Sequence, residues 1–110
     1  MKIDLTEQVM IGTGVQEFLD HHGLQADFRT ICELVKNCFP DALRLEAALR
    51  EDVDEPGRFR ILLSATLPAD YPLELHLVQN RRYHERLVQA IPLSHCPYFA
   101  LLTEFMVGVP

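Results

Sequence analysis

DALRLEAALREDVDEPGRFRILLSATL, residues 41–67, decides the fold. Its first half is built from Ala, Leu, Glu and Arg, which favour helix by intrinsic propensity. Its order says otherwise. Leu43, Leu45, Ala47 and Leu49 alternate with Arg44, Glu46, Ala48 and Arg50, the period of a strand with one buried face. Beyond the turn-rich Asp54-Glu55-Pro56-Gly57 the alternation resumes at Phe59, Ile61, Leu63, Ala65 and Leu67. Two alternating runs around one such loop predict an antiparallel hairpin, because burying a shared apolar face outweighs intrinsic propensity.

Upstream of the hairpin, Leu24, Phe28, Ile31, Cys32, Val35, Cys38 and Phe39 recur at three and four. That is one apolar stripe on a helix, which Asp27 is placed to cap and Phe39-Pro40 to close. A shorter helix precedes it. Thr13 and Gln16 have capping-box spacing, Val15, Phe18, Leu19 and His22 follow at helical intervals, and Gly23-Leu24 reads as a left-handed stop. Residues 1–12 fit neither period and read as irregular. Downstream, Pro68 and Pro72 bracket a turn, with Asp70 near an N-cap and a helix running to about Ala90. The alternation of Leu73, Leu75 and Leu77 leaves an extended start to that segment open. Pro92 and Pro97 enclose a connector, and residues 98–107 read as a last strand.

The expected architecture is therefore a single α+β domain over residues 1–110 with the order α-α-β-β-α-β. It has a small, mainly antiparallel three-stranded sheet and helices packed on one face. Placing the final strand beside the first hairpin strand gives order 2-1-3 and is the expected arrangement. Placing it beside the second hairpin strand makes a parallel crossover instead.

Composition narrows the function classes. Apolar residues make up 48% and charged residues 24% of 110, a globular balance with room for one core. The formal charge of −6 disfavours nucleic acid and anionic membrane surfaces as partners, since binding to polyanions draws its affinity from Lys and Arg. Three cysteines, Cys32, Cys38 and Cys96, with no CxxC, no apolar leader in MKIDLTEQVM and no membrane-length apolar run point to a reducing cytoplasm. No cofactor motif is evident: Gly12-Thr13-Gly14 lacks the phosphate-loop pattern, and a type II KH reading fails for want of a G-x-x-G.

The residues able to carry chemistry are few. His21, His22, His76, His84 and His95 show no zinc-ligand spacing, so no metal is expected. His95-Cys96 is the one dipeptide that could pair a thiolate with a base, although a packed cysteine beside a solvent-facing histidine is the simpler account. Glu51, Asp52, Asp54 and Glu55 make an acidic hairpin tip. Arg81, Arg82 and Arg86 make the one basic concentration, suited to an anion, an acidic partner or the acidic tip of a second copy.

Over residues 18–67 the chain resembles small uncharacterised bacterial α+β proteins. The residues concerned are His21-His22-Gly23-Leu24, Phe39-Pro40-Asp41-Ala42, and the hairpin from Arg50-Glu51-Asp52 to Glu55-Pro56-Gly57. The resemblance implies the helix-hairpin arrangement and no activity.

The functional expectation rests on the last strand. Phe99, Leu101, Leu102, Phe105, Met106 and Val107 make it apolar on both faces, and strands of that kind lie inside something. A non-enzymatic interaction or regulatory module that self-associates, as a homodimer or with a protein partner, is the first expectation. A small enzyme or ligand binder around His95, Cys96 and the three arginines is the second. An antitoxin-like acidic partner of a basic protein is the third.

Overall fold

The hairpin forms as its alternation requires. In the computed structural model, which describes residues 9–106, Arg44–Glu51 (β2) pairs antiparallel with Phe59–Leu67 (β3), Leu45 opposite Ala65, Ala47 opposite Leu63 and Leu49 opposite Ile61. Leu45, Ala47, Ile61, Leu63, Ala65 and Leu67 are buried. The Asp52 N–H donates to Arg58 O at 2.7 Å, and Gly57 takes a positive φ of 90° in the loop between the strands.

Two helices precede it. Val15–His22 (α1) starts from Gly14 at φ 85°, a left-handed conformation that glycine adopts without a Cβ penalty. The helix thus begins one residue later than the Thr13–Gln16 spacing suggests, and no side-chain cap forms. It ends as expected. Gly23 at φ 65° sends its N–H to Asp20 O, and Leu24 N–H reaches Leu19 O at 2.9 Å, the bond pair of a Schellman stop. Gln25–Cys38 (α2) buries Phe28, Ile31, Cys32, Leu34, Val35 and Cys38. Leu24 occupies its N-cap, so Asp27 lies inside the first turn, where it serves a different partner.

Leu73–Ala90 (α3) is helical throughout, which settles the extended alternative for its start. Pro72 is its N-cap, and Asp70 does not cap it. A short 3-10 turn, Cys96–Tyr98, leads into Phe99–Phe105 (β4).

The sheet differs from the expected one. Among the described residues it has four strands rather than three, in the order β1-β2-β3-β4, and it is mixed rather than mainly antiparallel. Met10–Ile11 (β1), within the stretch read as irregular, pairs parallel with β2 at Glu46 and Ala47. Gly12 N–H then donates to Ala47 O at 2.8 Å. That pairing occupies the outer edge of β2, where the final strand was expected. β4 takes the remaining edge, parallel to β3, with Ile61 opposite Phe99 and Leu67 opposite Phe105.

The core lies between the helices and the sheet face that presents Leu45, Ala47, Ile61, Leu63, Ala65 and Leu67. The opposite face is open. Glu46, Ala48, Leu62, Ser64, Thr66 and Ala100 are only partly buried there, and Leu102 and Glu104 are exposed. Among the described residues no helix is long and apolar enough to cross a membrane.

Candidate functional site

The expected contact strand divides into an enclosed beginning and an uncovered end. Phe99 is buried, and Leu101 is half-buried against the core, so Phe99 is a core residue rather than a contact residue. Phe99 sits opposite Ile61 on the helix-covered face, at the start of β4 directly after the Cys96–Tyr98 turn, whereas Phe105 is the last residue of the strand. Leu102, Phe105 and Met106 keep 44%, 41% and 50% of their surface in water. Val107 lies outside the described residues.

A second exposed apolar region belongs to α3. Its buried positions include Gln79 and Tyr83, with His76 and Leu87 half-buried on the same side. Leu73, Leu77 and Val78 are 64%, 55% and 53% exposed, and Leu75 and Val88 are exposed as well. The alternation of Leu73, Leu75 and Leu77 that suggested a strand is, on a helix, apolarity spread around the axis. Only one side can be packed. That was the available signal for this surface, and by period alone it left the extended alternative open.

His76 ties the two regions together. Its Nε2 shares a 2.7 Å hydrogen bond with Thr103 Oγ1 across the α3–β4 joint. Its ring lies 5.4 Å from that of Phe105 and 6.2 Å from that of Phe39. The Nδ1 atom is buried and has no hydrogen-bond partner. Nearby, Tyr71 Oη donates to Gln79 Oε1 at 2.6 Å and satisfies the one buried amide of the helix.

His95 and Cys96 engage different neighbours. His95 Nδ1 is 2.5 Å from Asp27 Oδ2, a contact between the connector and the first turn of α2. A carboxylate at Nδ1 orients an imidazole and leaves Nε2 as the free ring nitrogen. Cys96 Sγ is directed instead to Pro92 O at 3.6 Å. General-base activation of a thiol requires the two groups within hydrogen-bond reach, and these side chains hold other partners. Cys32 and Cys38 are buried, and burial pushes the Cys32 thiol up to about 12. A thiol so placed behaves as a small apolar side chain. Burial also raises the Tyr83 phenol.

The charged clusters stand apart in character. Arg81, Arg82 and Arg86 are exposed on α3 and hold no ion pair among the described residues. The acidic tip is partly neutralised from within. Asp52 pairs with Arg60 at 2.5 Å and Glu55 with Arg58 at 3.0 Å. The Asp54 N–H bound to the Asp52 carboxylate, with Arg60 beside it, holds that carboxyl below its ordinary range. The pairing of this tip with the arginines of a second copy therefore competes with contacts already made. Among the described residues no group of three His, Cys, Asp or Glu could hold a metal ion.

Two concavities lie on the surface of the described residues. One of about 360 Å³ lies between the end of α2 and the start of β2, lined by Lys36, Phe39, Leu43 and Arg44 among others. The other, of about 560 Å³, lies beside the hairpin loop and is walled by Phe18, His22, Phe59 and Tyr98. Phe18 and His22 stack with centroids 4.4 Å apart, and Tyr98 closes on both at 6.1 and 5.1 Å. Comparison with family models, with curated proteins and with solved structures returned no match.

Proposed function

We propose that this protein is a non-enzymatic interaction or regulatory module that works by self-association, with the end of β4 and the first half of α3 as its contact surface. The observation that carries this is the state of β4. It is an edge strand, joined in parallel to β3, with large apolar side chains in water at its far end. The sheet face beyond the helices is open along β4. Exposed clusters of this kind, as distinct from scattered single residues, mark sites where another surface docks. The exposed leucines of α3 extend the cluster across the His76–Thr103 joint.

Sedimentation velocity on the intact chain tests this. The expected species at micromolar concentration has twice the 12.6 kDa mass of one chain. Leu77→Glu, a change at an exposed position that leaves the core untouched, shifts the population toward monomer. A single 12.6 kDa species throughout the micromolar range overturns the proposal.

A further inference from the structure

We propose that two copies join by antiparallel pairing of their β4 edges about Leu102, making one continuous sheet with the helices of both copies on the same side. This rests on the self-association proposed above and specifies its geometry.

The free edge can be assigned atom by atom. Met106 N–H donates to Leu67 O at 2.8 Å, so the even-numbered positions of β4 turn their backbone groups toward β3. The neighbouring ladder agrees, since Leu43 N–H donates to Thr66 O and even positions of β3 face β2. Leu101, Thr103 and Phe105 therefore present their N–H and C=O groups to the open side. Phe99 presents its carbonyl, its N–H being held by Cys96 O.

This edge carries none of the usual devices against pairing. Residues 99–105 contain no proline, lysine or arginine, and Glu104 is the single charge. The other edge of the sheet is different: among the described residues β1 pairs with Glu46 and Ala47, and the remainder of β2 carries Arg44, Arg50 and Glu51.

The occupant follows from the register. A two-fold axis at Leu102, normal to the sheet, pairs all of β4 with its copy. Leu101 meets Thr103 of the second copy and exchanges both backbone bonds with it, while Phe99 meets Phe105 and accepts from its N–H only, all on the helix-covered side. Leu102 meets Leu102 on the open side, and Glu104 meets Ala100. The one charge never faces itself. An in-register parallel pairing would set Glu104 against Glu104, which cross-strand energetics disfavour.

Three measurements on the full chain test the geometry. With the chain dimeric by sedimentation, the amides of Leu101, Thr103 and Phe105 exchange with deuterium about tenfold or more slowly at high concentration than at low, as amides newly bonded do. Those of Leu102 and Glu104, already bonded to β3, show no such dependence. In a Cys96→Ser background, Leu102→Cys cross-links on oxidation, because residues facing across a non-hydrogen-bonded pair sit about 4.5 Å apart, within disulfide reach. Thr103→Cys does not, since its nearest copy lies about two residues along the strand, beyond the roughly 7 Å limit. Leu102 is exposed on the open face, so its replacement leaves the core intact. A dimeric mass with concentration-independent exchange at Leu101, Thr103 and Phe105 overturns this register while leaving self-association standing. A monomeric mass at every concentration overturns both.

Discussion

Thr103→Val is the most informative single change in the folded chain. The His76 imidazole holds one hydrogen bond, from Nε2 to Thr103 Oγ1 at 2.7 Å, and its Nδ1 is already buried without a partner. Valine matches threonine in shape and removes the hydroxyl, so the variant strands both ring nitrogens beside Phe39 and Phe105. Leaving a buried polar group unsatisfied costs about 1–3 kcal/mol. Against a total of roughly 5–15 kcal/mol for a domain of this kind, that is a substantial share. With a urea slope of about 1–3 kcal/mol per molar, the unfolding midpoint falls by about 1 M. The companion variant carries the logic. His76→Leu in the Thr103→Val background removes the stranded polar group and restores most of the loss, so a double-mutant cycle shows strong coupling. The assay is urea unfolding followed by circular dichroism at one fixed protein concentration, since self-association shifts stability by mass action. An unchanged midpoint for Thr103→Val, or a double variant no more stable than it, would refute the reasoning.

Two further outcomes follow from the titratable groups. The Asp52 carboxyl is held below its ordinary value of 3.8 in the folded chain, first by the Asp54 N–H, so it contributes stability above that value. The contribution is lost as pH falls below 3.8 through the lower folded value. Asp52→Asn should therefore lower the urea midpoint near neutrality and converge with the parent in acid; a constant difference across that range would show that the carboxylate is not the source. For the thiols, an aromatic disulfide reagent at mildly alkaline pH should modify half-exposed Cys96 alone, leaving buried Cys32 and Cys38 until urea unfolds the chain. Rapid labelling of Cys32 in the native chain would contradict its burial.

The candidate contact surface was legible in part. The apolarity of both faces of residues 98–107 pointed to a strand in need of cover, and the exposure of Leu102, Phe105 and Met106 is in line with that need. The composition could not divide the strand, because Phe99 and Phe105 are alike as side chains. Both lie on the helix-covered face, opposite the buried Ile61 and Leu67, and only their place along the strand, Phe99 at its start and Phe105 at its last residue, leaves one buried and the other exposed. The α3 surface was present in the sequence as a run of alternating leucines, which left an extended start open beside the helix that was expected and that forms. Alternation describes a strand only when one face is buried, and on a lightly packed helix it encodes nothing about burial.

What the sequence alone determined is local. Period-two alternation through residues 44–51 and 59–67 specified the hairpin, three-and-four spacing specified α2, and Gly23 specified the end of α1, because each signal lies within a few residues of the structure it encodes. Tertiary structure decided what lies beside what. A two-residue pairing at Met10–Ile11 is too short to leave a periodic trace, yet it takes a place on the outer edge of β2, and the last strand lies beside β3. The contact between Asp27 and His95 spans 68 positions, and the His76–Thr103 bond spans 27. Such meetings are set by which surfaces remain unpaired once the hairpin and helices have packed, a condition that no stretch of sequence carries by itself.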